Sequence, residues 1–307
     1  MQKILKMGRY DAALKMVSSI EASIFDDWKG KRPNASLTLT LRLGFRQINP
    51  TAGADKGTYH DLGDPKEKER KIVRWNPTVW SKWKSDFVTS AQKFWDNKFC
   101  LINNRGHFPF ELDGQILIPN VKCRLKIVAQ DATAKDNHHT IDVVRLAAGE
   151  KWFRSHASLY DSRDTKSEKK GKDSKGKKIM QRAHVHEVGH LLGLHHVDVG
   201  KAHCPATGDT NKPKCYGVAD HDQYAVMGRG MELRKDNARP WHTAITKFEA
   251  WAKGNPAFSD HAKAVTAAGL VGPIKIWSTE FMHYHARTLD EVKAGSLNFG
   301  MLEPAGA

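Results

Sequence analysis

The chain has 307 residues, 40% hydrophobic and 9% aromatic with nine Trp, which is enough to bury a sizeable core in one large domain or two smaller ones and excludes disorder throughout. Its 49 Lys and Arg against 34 Asp and Glu leave a formal charge of +15, which favours contact with nucleic acid, acidic lipid or acidic protein without choosing among them. The longest uncharged stretch near the C-terminus, Ala264 to Ile274, falls well short of the roughly 18 to 20 apolar residues that cross a bilayer, so no transmembrane segment is expected.

At the N-terminus, Arg9, Asp11 and Lys15 interrupt what would be the apolar core of a secretory signal, so a classical export signal is not expected. That leaves a cytoplasmic protein or export by a non-classical route. Leu5, Ala12, Leu14, Val17, Ile20, Ile24 and Phe25 form a loose helical pattern that stops at the Gly30 to Pro33 break. Residues 1–33 are therefore expected to be a helical or leader segment. Leu37, Leu39, Leu41, Leu43 and Phe45 then alternate with Thr38, Thr40, Arg42 and Gly44, the period-two mark of a strand with one buried face. The polar stretch from Asn49 to Arg70 is expected to be a surface loop.

Asn76 followed by Pro77 predicts a helix start, because the Asn oxygen accepts from an early backbone N–H and Pro has none to leave unpaired. The helix runs to about Asn97, with Trp80, Trp83, Phe87, Ala91, Phe94 and Trp95 as its core stripe. Val121, Cys123, Leu125 and Ile127 predict another strand, Ile141 to Leu146 a further one, and Trp152 to Tyr160 a candidate edge strand. Lys166 to Lys178 holds seven Lys and two acids, so it carries +5 in thirteen positions. It is expected to be part of a flexible basic loop, 163–180, that is solvated or docks an anionic partner.

The chemistry concentrates in His186-Glu187-Val188-Gly189-His190-Leu191-Leu192-Gly193-Leu194-His195-His196. On a helix from about Gln181 to Leu192, His186 and His190 lie one turn apart and both face one ion, while Glu187 sits close enough to take a proton from water without being a ligand. Gly193, lacking a Cβ, suits a left-handed turn that ends the helix and brings back His196 as third ligand. Three neutral imidazoles leave one tetrahedral position of Zn²⁺ for water, as a catalytic rather than a structural site does. On composition, HExxH alone has on the order of 0.03 chance matches in such a chain, and adding Gly193 and His196 reduces that to roughly one in ten thousand. His195 and Asp198 adjoin the third-ligand position, but the spacing from Gly193 selects His196. His184, His138, His139, His283 and His285 lack a third ligand at useful spacing and are expected to be ordinary surface or core residues.

Residues 186 to 196 resemble the metzincin clan of zinc metalloendopeptidases, whose HExxHxxGxxH consensus they match at every fixed position. Tyr224-Ala225-Val226-Met227-Gly228 is similar to the clan's Met-turn, with Met227 as the hydrophobic floor and Met231 as the alternative. Many members carry a Tyr two residues after that Met; this chain has Arg229 there, and Tyr224 does not take that place. The Asp that follows the third His in reprolysin-like members is also missing, since Val197 precedes Asp198. No cysteine-switch propeptide of the matrixin kind appears upstream.

The resemblance implies an α+β metzincin-like zincin fold: a mixed twisted sheet with helices and an active-site helix over 34–192, a cleft, and a smaller C-terminal subdomain over 193–307. It implies one catalytic Zn²⁺, a protein or peptide substrate lying extended along an edge strand, and Glu187 as general base. Cys204 and Cys215 bracket the loop before the Met-turn and are compatible with either a stiffening disulfide or two free thiols. A basic protein that binds nucleic acid or an anionic surface around a structural zinc would also account for the charge. A delivered effector or toxin would use the same metal hydrolysis in another setting.

Overall fold

The computed structural model describes residues 4–11, 16–23, 34–60, 68–103, 110–112, 115–117, 120–151, 156–244 and 284–288. They form an α+β fold on a curled mixed sheet. The first strands are β1 (Ile4–Asp11), β2 (Met16–Ser23), β3 (Asn34–Ile48), β4 (Lys56–Tyr59) and β5 (Arg70–Val73). After helix α1 (Pro77–Trp95) come β6 (Phe99–Asn103), β7 (Phe110–Leu112), β8 (Gln115–Leu117), β9 (Asn120–Asp131), β10 (His139–Val144) and β11 (Leu159–Asp161). The hairpin β12 (Ser167–Lys172) and β13 (Lys178–Arg182) leads into α2 (Ala183–Leu191); α3 (Asp220–Tyr224) and β14 (Tyr284–Thr288) follow.

The main sheet is ordered β1-β2-β3-β9-β6-β14, and β10 pairs with both β3 and β11. The alternation in β3 buries Leu37, Leu39, Leu41, Leu43 and Phe45 on one face. β9 lies parallel to β3 from Asn120 to Asp131, with Cys123, Leu125 and Ile127 buried, and β10 runs parallel to the C-terminal half of β3. Helix α1 starts as expected: the Asn76 side-chain oxygen accepts from Thr78 N at 2.9 Å and from Val79 N at 3.4 Å. Its stripe of Trp80, Trp83, Phe87, Ala91 and Trp95 is buried against the sheet and Phe94 packs at its margin. Burial of each large side chain there contributes about 1.5–3 kcal/mol.

Several expectations are corrected. The helix expected from Leu5 onward is an antiparallel hairpin where it is described, pairing Ile4 with Ser23 through Asp11 with Met16, and Val17 pairs with Thr40 of β3. Gly8, Val17, Ser18 and Ser19 are poor helix formers, and the β3 edge supplies ladder partners that outweigh a loose apolar period. Ala12, Leu14, Ile24 and Phe25 lie outside the described residues.

The basic loop 163–180 is largely the β12–β13 hairpin. Its turn is built by side chains rather than by apolar burial: Asp173 Oδ1 accepts from Lys175 N at 3.0 Å and Lys177 N at 2.8 Å, and Gly176 takes φ +79°. Part of the expected surface loop from Asn49 to Arg70 is likewise ordered as a hairpin, β4 with β5. Of the expected strand from Trp152 to Tyr160, residues 152–155 lie outside the described residues, and the described part holds the start of β11, a parallel neighbour of β10 with no second strand on its other side among the described residues. Among the described residues, no helix is long and apolar enough to cross a membrane.

Candidate metal centre

Helix α2 is fixed from two sides before it presents any ligand. Trp95 Nε1 of α1 donates to Val185 O at 3.0 Å. Buried His184 joins Ser90 Oγ at 2.5 Å and Asp164 O at 2.8 Å, which makes it a core histidine as expected. Val185, Val188 and Leu191 are buried in the main core, so the opposite face of the helix turns toward a cleft of about 960 Å³.

The helix ends where Gly193 takes φ +89°, a conformation that a Cβ penalises, and Leu194 N donates to Gly189 O at 3.0 Å to close the cap. The same turn sets two ligands. It returns the chain to His196, and it aims Leu194 O at His190 Nδ1, 2.8 Å away.

The three histidines converge. His190 Nε2 lies 3.1 Å from His186 Nε2 and 3.0 Å from His196 Nε2, and the three ligating atoms fall within 4.8 Å of one another. Each Nδ1 faces a backbone carbonyl: Val226 O at 2.7 Å for His186, Leu194 O for His190, and Thr210 O at 2.9 Å for His196. A carbonyl only accepts, so every Nδ1 carries the ring proton and every Nε2 carries a lone pair. Burial is the chief cause of lowered basicity at all three, well below the usual value at His186, below it at His190, and down to about 4 at His196.

Neutral rings therefore aim three lone pairs at one point, and none has a proton to share. A cation satisfies them. Nitrogens at about 2.0–2.1 Å from a tetrahedral metal lie about 3.3 Å apart, close to the two separations from His190 Nε2. These three residues can hold a metal ion.

Glu187 lines the same cleft and is 9% exposed. Burial raises its carboxyl to about 8, opposed by the ammonium of Lys170. Lys170 is the extra residue at the register shift between Lys169 and Gly171, where a bulge redirects a side chain; it lines the cleft and pairs with Glu168.

The segment Ala225 to Gly230 is a tight turn in which Gly228 N and Gly230 N both donate to Ala225 O, at 2.9 and 3.1 Å. Met227 is buried, its carbonyl accepts from Val197 N at 3.0 Å, and its sulfur lies against Gly189, where a Cβ would collide with it. Met227 thus packs beneath the stretch of α2 that joins His186 to His190. Met231, the alternative, packs partly buried at the core margin, and its sulfur accepts from Arg182 N at 3.4 Å.

The rejected third ligands lie elsewhere: Asp198 accepts from Val218 N at 3.0 Å and meets His203 Nε2 at 2.8 Å, and His195 is exposed at the rim. Tyr224 is not at the histidines, because its hydroxyl donates to Asp173 Oδ2 at 2.8 Å and ties α3 to the basic hairpin. Cys204 and Cys215 form a disulfide. Their loop carries Thr210 O, the support of His196.

Three further residues at the site escaped the sequence reading. Gln181 Nε2 lies within 3.1 to 3.2 Å of Val226 O, Gly228 O and Gly230 O, stitching β13 to the tight turn. Tyr216 packs its ring on His196, and Lys170 faces Glu187. The one clue in the chain to any of them was the position of Tyr216 beside Cys215. Comparison with known protein families, curated proteins and solved structures finds no match.

Proposed function

We propose that the chain is a zinc-dependent endopeptidase with a metzincin-like fold. The observation that carries this reading is the set of three acceptor nitrogens converging on one point of an open cleft, with Glu187 on the same wall. A structural site would close the fourth position with a protein donor, and among the described residues no fourth His, Cys, Asp or Glu joins the group. The Met-turn resemblance and the helix-ending Gly193 support the metzincin assignment.

His186, His190 and His196 would hold the ion, which when bound supplies Lewis acidity toward a peptide carbonyl and a water molecule. Glu187 takes a proton from the attacking water as its oxygen forms a bond to the carbonyl carbon, then delivers that proton to the leaving amine as the C–N bond breaks. Tyr216, packed against His196, limits the ring's rotation, and the carbonyls of Val226, Leu194 and Thr210 keep each Nε2 directed at the ion.

The test compares cleavage of an unstructured protein by wild type and Glu187→Gln, each loaded with one equivalent of zinc. Loss of cleavage with zinc retained supports the reading. Equal cleavage by both proteins, or none by wild type across a broad substrate panel, contradicts it.

A further inference from the structure

Arg229 lies two residues after Met227 in the tight turn. It lines the same cleft as His186, Glu187 and His196. Its backbone N–H is held by Gln223 O at 2.9 Å, and one guanidinium nitrogen, Nη2, donates to Pro213 O at 3.0 Å. Across the cleft edge the side chain lies over Gly171 of β12, whose Cβ position would be 3.7 Å from Nη1 and 3.8 Å from Cδ. The guanidinium is thus held between the basic hairpin and the disulfide loop. Among the described residues it makes no ion pair, whereas the neighbouring cleft cation Lys170 is already paired with Glu168.

A half-buried guanidinium anchored through one nitrogen keeps further N–H donors for a partner, and a carboxylate is the acceptor their fork fits best. The hairpin beside it carries Lys169, Lys172, Lys175, Lys177 and Lys178 as exposed residues against the two acids Glu168 and Asp173, so its net charge at this end of the cleft is positive. We infer that Arg229 binds a carboxylate of the substrate, so that the cleft selects polypeptide segments with Asp or Glu close to the cleaved bond. The inference rests on the endopeptidase reading and adds a substrate class to it. Arg229 is a fixed point, so it selects acid at one or two adjacent substrate positions, while the hairpin lysines add a diffuse attraction that salt removes.

The test uses fluorogenic peptides built on a neutral sequence that the zinc-loaded protein cleaves, with a single Glu or its isostere Gln placed in turn at three positions on each side of the cleaved bond. Wild type is expected to favour Glu by about tenfold in kcat/KM at one or two adjacent positions. Arg229→Gln brings that ratio close to one, Arg229→Lys keeps part of it, and Arg229→Glu turns it toward a Lys-bearing peptide. Binding of the labelled peptides to the Glu187→Gln protein, read by fluorescence anisotropy, is expected to show the same Glu preference, lost when Arg229→Gln is added.

A Glu-to-Gln ratio near one at every position overturns the inference. So does an Arg229→Gln protein that loses equal factors on both peptides, the result expected of a group that assists the reaction without reading the substrate. A preference that persists in Arg229→Gln and vanishes with salt assigns selection to the hairpin and overturns it too. If no peptide is cleaved, the endopeptidase reading falls and this inference with it; cleavage without acidic preference removes this inference alone.

Discussion

The ring of Tyr216 lies on that of His196, with centroids 3.8 Å apart and planes tilted by 35°. Tyr216 directly follows Cys215, and the Cys204–Cys215 bridge closes the loop that also holds Thr210 O against His196 Nδ1. His196 is therefore fixed on two sides by one cross-linked loop. His186 and His190, by contrast, take their geometry from a helix.

This difference predicts that the disulfide matters more for metal affinity than for the fold. The Cys204→Ser, Cys215→Ser double variant is expected to bind zinc about 10- to 100-fold more weakly, the usual effect of losing a group that orients a ligand. Chelator competition measures it. Unchanged affinity would mean that the helix and Gly193 alone set His196.

Gln181 is expected to act as the clasp of the tight turn. Gln181→Leu withdraws its donors from the carbonyls of Val226, Gly228 and Gly230, all at buried residues, and should cost about 1–3 kcal/mol in urea unfolding of the metal-free protein. A loss below about 0.5 kcal/mol would be a surface-like effect and would contradict this role.

Packing between Gly189 and Met227 gives a third prediction. A Cβ at Gly189 would collide with the Met227 sulfur and come within 3.1 Å of Trp95, both buried. Gly189→Ala is expected to destabilise by about 1–3 kcal/mol despite the better helix propensity of Ala. Pairing it with Met227→Ala should recover part of that loss in a double-mutant cycle, and strict additivity would show that the two positions do not touch.

A pH effect remote from the three clustered histidines follows from His138. Burial, aided by Arg42, lowers its imidazole to about 4, and its Nδ1 accepts from Arg42 N at 3.1 Å. The unfolded chain binds this proton near the ordinary value of about 6.5, so between there and about pH 4 the unfolded state holds more protons than the folded one. The contribution is thus fully present above about pH 6.5 and is lost as pH falls through that window. His138→Gln should make the stability profile shallower between pH 6.5 and 4 than in wild type, as read by urea unfolding at each pH. Parallel profiles would contradict it.

Much of this architecture was legible where a periodic apolar pattern coincides with local chemistry. The Leu37 to Phe45 alternation, the Asn76 cap and the spacing of His186, His190 and His196 each determine geometry within a few residues, and each is found in place. The β12–β13 hairpin was not legible because most of its residues are Lys, Ser and Gly, and its order comes from Asp173 capping its own turn and from Tyr224 and Asp220 reaching it across the fold. The N-terminal strands were misread because one face of a strand and a loose helical stripe use similar apolar residues when only three or four are present. Gln181, Tyr216 and Arg229 gain their roles from partners up to 58 residues away, a kind of contact that no local pattern records.

The most direct test of the central claim is zinc X-ray absorption on protein reconstituted with one equivalent of metal. Three imidazole nitrogens and one oxygen, at about 2.0–2.1 Å, are predicted, with each of His186→Ala, His190→Ala and His196→Ala removing one nitrogen or abolishing binding. A fourth protein ligand, or stoichiometric binding that survives all three substitutions, would contradict the account.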